Sequence, residues 1–380
     1  MNILFIGPYR QTDGWGEAAR AYALALKATG HTICLRPIYM AGVAGVTNLQ
    51  PELLDMETNP HYKKEKYDVI IQNVLPHLLE YPTAKADKHI VLCVFETADL
   101  EETLWPRHIN KMDELWVPSL REKTDITNSG VTIPVYVVPE PTDVEKFDKV
   151  HAPNQWKNLG LHDIFTFYFI GEFVPRKNLE ALIIAFHREF DINEPVDLVI
   201  KTNKGGHTKN QTIKLLQDKI LHIKKALGLY VNTERYKKEW VITEYLSEDI
   251  LYSLHQACDC FVMPSKGEAC CRPLMDAQGF GNTAIVTDNT GMLTYVCQPE
   301  SQIVPSKRVP VVSDERPIPF LYTANETWSE IDIVELQGAM RRAYDLNNNP
   351  LAKAQRKSTL KSKMAKYSYD EIAKCMEEIL

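Results

Sequence analysis

The chain lacks any apolar run approaching 18 residues, so nothing in its 380 residues predicts a membrane-spanning helix. Its opening, MNILFIGPYR, lacks the long apolar core of a secretory signal, which predicts a cytoplasmic protein. Positive charge is not in excess: 43 Lys and Arg against 50 Asp and Glu leave a formal net charge of −7. No global basic field therefore draws nucleic acid or an anionic membrane. The eight cysteines lack the spacing of a disulfide framework; Cys34, Cys93, Cys258 and Cys260 fall in apolar, strand-like runs, which predicts buried thiols. Cys258, Cys260, Cys270 and Cys271 do not make a zinc set either, because they alternate in a strand or stand adjacent and no His is placed to join them. There is no Asp-x-Asp metal motif, internal repeat or low-complexity tract.

What is present is a chain of ordinary globular composition, 44% apolar and 24% charged, long enough for two domains with separate cores. Short apolar runs alternate with amphipathic stretches, the pattern of parallel α/β units. Asn2–Ile6 is a strand, Gly14-Trp15-Gly16 precedes an Ala/Leu-rich helix over 17–28, and Thr32–Pro37 is the second strand. Gly14-x-Gly16-x-x-Ala19 matches a dinucleotide fingerprint and would favour an NAD-dependent oxidoreductase. The match is weakened by a long loop and by Arg36-Pro37, where a ribose needs an acid. Residues 54–66 read as a polar helix or loop, 67–71 and 89–95 as strands, 105–112 as a helix and 113–119 as a strand ending in Pro-Ser. Ser119 caps a helix over 120–128, and a last strand ends at Pro139. Pro139–Asp163 reads as a linker. A second series follows: strands at 165–171, 196–201 and 240–243, helices at 179–190, 212–227 and 248–257. Residues 304–323 read as irregular strands, Trp328 caps a helix over 331–346, and 367–380 is a final helix. The lysines of 212–227 are most simply a solvated face.

The chemistry concentrates in Cys258–Thr287. A strand over 259–263 is broken by Pro264-Ser265-Lys266-Gly267, and Pro273 suits the first turn of a helix ending at Gly279 and Gly281. Glu268 thus lies in the loop at a strand's carboxyl end, where open α/β sheets bind ligands, and Asp276 lies eight residues on, about a turn into the helix. The backbone N–H groups near Ala269, Cys270 and Cys271 suit an anion. The plain alternative is a solvated loop Glu and a helix-face Asp. Arg176 and Lys177 stand before the 179–190 helix, as a phosphate-binding pair or a solvent-facing one.

The string Pro-Ser-x-Gly-Glu-x7-Asp, with a strand before it and Ala284-Ile285-Val286-Thr287 after, resembles the retaining glycosyltransferases of family 4. Glu268, Pro273 and Lys177 match that family's motifs. Asp276 replaces its second Glu, Ala269-Cys270-Cys271 its Gly-Phe-Gly, and Glu172 its arginine. DELWVPS and PVYVVPEPTD resemble the end of its first domain. The resemblance implies an α/β GT-B fold, two Rossmann-like domains with a cleft between them. The domains expected are 1–150 on the acceptor side, 151–365 binding the donor, and 366–380 as a helix returning to the first.

It implies a hexosyl transfer with retention from a nucleoside-diphosphate sugar to a glycan or other hydroxyl acceptor, with no cofactor or metal required. Glu268, Lys177 and Arg176 would be catalytic. Gly16, Tyr245, Leu246, Ala269, Cys270, Cys271 and Asp276 would bind the donor, Asp276 through the ribose and Tyr245-Leu246 through the base. Glu96 and Arg20 are acceptor-side candidates; a helix N-terminal acid and a surface ion pair are their plain alternatives. The rivals are a catalytically silent sugar-nucleotide or glycan-binding subunit and the oxidoreductase. Base, sugar, acceptor and a homodimeric state stay open.

Overall fold

The computed structural model describes residues 1–40, 45, 48–59, 66–81, 85–151, 156, 164–311, 323, 325–347 and 350–380. The chain forms two compact units. One comprises Met1–Val144, Ile318–Thr327 and Ala365–Leu380, the other Glu145–Pro317 and Trp328–Met364.

The first unit holds six parallel strands: β1 (Asn2–Gly7), β2 (Thr32–Pro37), β3 (Lys66–Asn73), β4 (Lys85–Leu92), β5 (Glu114–Val117) and β6 (Val135–Val137). Their order is β2-β1-β3-β4-β5-β6, so the topological switch lies between β1 and β3. The apolar runs read as strands because a parallel sheet is covered on both faces; Ile3, Phe5, Ile6, Ile70 and Ile71 are all fully buried. The first helix, Gly14–Ala28, begins three residues earlier than its Ala/Leu pattern suggests, because the Asp13 carboxylate caps it at Gly16 N (2.9 Å). The C-terminal helix Tyr369–Glu377 belongs to this unit and packs on Gly14–Ala28, with a Glu377 carboxylate oxygen 2.9 Å from His31 Nε2.

The second unit repeats the plan with β7 (Phe165–Ile170), β8 (Val196–Lys201), β9 (Glu239–Ile242), β10 (Cys260–Met263), β11 (Thr283–Thr287) and β12 (Gln302–Val304). Their order β12-β11-β10-β7-β8-β9 puts the switch between β7 and β10. Both units are therefore Rossmann-like, as the sequence pattern predicts. Seven of the eight cysteines are buried and Cys375 is half-buried.

Several elements differ from expectation. β4 ends at Leu92, so Glu96 lies four residues into a loop rather than at a strand end. Trp328 does not cap a helix. It lies in β14 (Thr327–Ile331), which pairs with β13 (Ser306–Pro310), and the cap of the following helix Ile333–Leu346 is Asp332. The helix Pro350–Met364 goes unread in the sequence, because Leu360 and Met364 are its buried residues and so weak a stripe carries little period. Parts of the expected 54–66 segment (60–65), linker (152–155, 157–163) and irregular strands (312–322) lie outside the described residues.

Asp332 accepts from Val334 N at 2.8 Å and Glu335 N at 3.1 Å. Asp332→Ala is expected to lower the unfolding free energy by about 1 kcal/mol, read by urea denaturation. An unchanged midpoint would remove Asp332 as the helix start.

Candidate active site

Two loops at the carboxyl edge of the second sheet meet around one carboxylate. The loop after β7 runs through a short turn, Pro175–Lys177, and Asn178 in the left-handed region (φ 52°) before the helix Leu179–Glu189. The loop after β10 runs from Pro264 to Cys271 and enters the helix Arg272–Gly279. Main chain joins them: Lys266 N donates to Arg176 O at 2.7 Å. Fully buried Ser265 shares its hydroxyl between the carbonyls of Arg176 and Gly267, 3.0 Å from each.

This stitching brings Arg176 and Lys177 to Glu268. Glu268 Oε1 accepts from Lys177 Nζ at 2.6 Å and from Arg176 Nη1 at 3.1 Å, with the carboxylate side chain only 5% exposed. Arg176 also donates to the Gly267 carbonyl at 2.5 Å. Burial alone pushes the Glu268 carboxyl up. The charges of Lys177 and Arg176, with hydrogen bonds from Lys177 and Ser265, outweigh it and hold the group below its usual value. The carboxylate is thus ionised and held between two cations.

Behind it the loop backbone is fixed by Gly291, in the loop that follows β11. Gly291 N donates to Glu268 O at 2.7 Å, and a Cβ at this position would stand 1.9 Å from Ala269 O. The approach requires glycine. Ala269, Cys270 and Cys271 are all buried; Cys270 Sγ lies 3.3 Å from Met275 Sδ. Cys271 adopts φ 71°, ψ 75° at the helix entrance, a conformation glycine takes without penalty. Burial, reinforced by the Glu268 charge, pushes its thiol up to about 12, so it is an inert thiol beside the carboxylate.

The other expected donor residues fall elsewhere. Asp276 is buried against Lys146, 2.6 Å away. Burial pushes its carboxyl up, but Lys146, His255 and Arg272 outweigh that and hold it below its usual value, leaving it ionised. Its chief cations are not those of Glu268. Glu172 accepts from Gly205 N at 2.9 Å and so supports the neighbouring loop. Tyr245 is 86% exposed and Leu246 is half-buried, both between β9 and the helix Glu248–Ala257.

In the first unit, Gly16 packs on the β1 loop so closely that a Cβ would stand 2.1 Å from Gln11 O. Arg20 donates to Tyr9 O at 2.9 Å and Gln11 O at 2.7 Å, so its guanidinium braces that loop. Glu96 is half-buried in the loop after β4, next to Phe95, whose N–H donates to Glu122 at 2.7 Å. At the end of β2, Arg36 pairs with the Glu80 carboxylate.

Residues 153–308 match the family model described as glycosyl transferases group 1. No curated protein matches the chain by sequence. Among solved structures, an E. coli structure described as trehalose-6-phosphate bound with UDP-2-fluoro glucose matches with TM-score 0.69 and 11% identity, covering 100% of this chain and 98% of that one. Sucrose-phosphate synthase from Thermosynechococcus elongatus matches at TM-score 0.66 and 15% identity, over 100% and 98% of the two chains. Anabaena HepE in complex with UDP and glucose matches at TM-score 0.63 and 14% identity, over 100% and 99%. The fold is GT-B, and residues 153–308 are similar to glycosyl transferases of group 1.

Two outcomes follow from the geometry. A carboxylate held below its usual pKa gives stability that is present above the unfolded value, about pH 4.3, and lost as pH falls through the folded one. Glu268→Gln is therefore expected to flatten the acid limb of stability below about pH 4 in denaturation midpoints. An acid limb identical to wild type would contradict it. Gly291→Ala is expected to cost about 1–3 kcal/mol by forcing the 268–269 backbone aside. Wild-type stability in urea would show that the backbone yields freely.

Proposed function

We propose that the chain is a retaining glycosyltransferase that moves a hexosyl group from a nucleoside-diphosphate sugar to an acceptor hydroxyl, without a metal. The observation carrying this reading is the convergence of Arg176 and Lys177 on buried Glu268, at a switch point of the sheet where open α/β folds take ligands. A donor diphosphate arriving there meets two cations already held in place by a carboxylate. As the glycosidic bond breaks, negative charge grows on the leaving diphosphate, and prepositioned cations stabilise it without reorganisation. Glu268 is the acceptor for the donor sugar's hydroxyls, and its burial favours that exchange of partners over exchange with water.

The main chain of Ala269, Cys270 and Cys271 lines the sugar or phosphate, and Gly16 is the first domain's donor-binding candidate. Tyr245 and Leu246 serve the base. Glu96 orients the acceptor, with Arg20 shaping the loop beside it. Retention follows from front-face attack, in which the acceptor's proton passes to a departing diphosphate oxygen. The UDP and UDP-sugar complexes of the E. coli and Anabaena structures favour UDP-glucose as the first donor to test. The domain division that fits this reading is an acceptor-side domain over 1–150, a donor-binding domain over 151–365 and a returning helix over 366–380.

Donor hydrolysis, followed by release of the nucleoside diphosphate from UDP-glucose and then from GDP- and ADP-glucose, tests the reading. Lys177→Met is expected to lower kcat by about 10²–10³-fold, as removal of a transition-state charge donor does. Glu268→Ala should abolish turnover. Donor binding without turnover in wild type would favour the catalytically silent subunit, and turnover surviving in Glu268→Ala would refute the assignment of that carboxylate.

A further inference from the structure

The position of Asp276 in its motif implies a ribose contact, but its carboxylate is already engaged. Asp276 Oδ1 lies 2.6 Å from Lys146 Nζ, and the two side chains are 11% and 5% exposed. The Lys146 ammonium stands 4.7 Å from the Tyr252 ring centroid and 5.4 Å from that of Phe147, so aromatic faces shield it. The next residue, Phe147, packs directly on Gly279 of the same helix as Asp276, where a Cβ would stand 2.2 Å from the ring. It meets Phe280 edge-on at 5.2 Å. The Lys146 carbonyl in turn accepts from His151 Nε2 at 2.8 Å. The short turn Glu145–Asp148 is therefore fastened to the helix Arg272–Gly279 at two adjacent points, one ionic and one apolar.

That helix carries the Glu268 loop at its entrance: Leu274 N donates to Cys271 O at 2.9 Å. Where the resembled family has Glu, Asp is one methylene shorter, which keeps the charge close to its own helix and within reach of Lys146.

We propose that Asp276 is a positioning residue rather than a donor ligand: its ion pair with Lys146 sets the helix Arg272–Gly279, and so holds the Glu268–Cys271 loop where the donor binds. This rests on the donor-site reading above. The physics separates it from direct ligation. A buried charge that loses its partner is strongly penalised, whereas replacing both partners by apolar groups of similar volume is often close to neutral. A ribose ligand behaves otherwise, because its loss is not repaired by any change at Lys146.

The test compares Asp276→Asn, Lys146→Met and the double variant Lys146→Met/Asp276→Leu, measuring KM and kcat for UDP-glucose hydrolysis and the thermal midpoint. Each single change is expected to raise KM by about tenfold with a smaller effect on kcat, and the double variant to return KM to within about threefold of wild type. 2′-Deoxy-UDP-glucose should cost wild type and Asp276→Asn the same factor. A double variant as impaired as Asp276→Asn, or a 2′-deoxy penalty that disappears in Asp276→Asn, would overturn the proposal. Calorimetry with UDP on the wild type separates the two levels. If wild type binds no UDP, the donor reading and this inference fall together; if it binds UDP and the double variant shows no recovery, this inference alone falls.

Discussion

One ionised carboxylate, buried between a lysine and an arginine, organises the carboxyl edge of the second unit's sheet. Removing Glu268 from water is costly, and attraction to Lys177 and Arg176 offsets that cost only if both cations are held close. The loops after β7 and β10 meet that condition. Ser265 and the Lys266 amide grip the Arg176 carbonyl, so the backbone presenting the cations and the backbone presenting the acid are one hydrogen-bonded piece. Gly291 closes the arrangement from β11 by bonding the Glu268 carbonyl. Preorganisation of this kind suits a site that must receive a multiply charged anion without rearranging.

Departures from the family motif look different once the backbone is known. Cys271 stands where the resembled motif has its second glycine, and it keeps the left-handed backbone that glycine would supply. Glu172, in place of an arginine, holds the Gly205 amide instead of a phosphate-binding position. Asp276, in place of Glu, faces Lys146. In this chain Glu172 and Asp276 are held by Gly205 and Lys146, while Glu268 is held by Lys177 and by the close approach of Gly291.

Much of this was legible in the sequence for a physical reason. Strands buried on both faces must be continuous apolar runs, so the two series of parallel strands could be read directly, and strand ends then located Glu268 and Lys177. Pairings across long separations could not be read. Nothing local to Lys146 signals Asp276, 130 positions on, and nothing local to Gly291 signals a carbonyl 1.9 Å from its would-be Cβ. The Trp328 segment misled because its apolar residues continue into those of the helix, while the true boundary is the Asp332 cap. Arg20 shows the limit from the other side: a cation one helical turn from a glycine loop reads equally as anion contact or brace, and its two carbonyl bonds reveal the brace.

The most direct measurement is a crystal structure of the protein with UDP-glucose. The account predicts diphosphate oxygens within about 3 Å of Lys177 Nζ and the Arg176 guanidinium, and a sugar hydroxyl donating to Glu268. A nucleotide sugar bound elsewhere, with the Glu268 ion pairs untouched by any ligand atom, would contradict it.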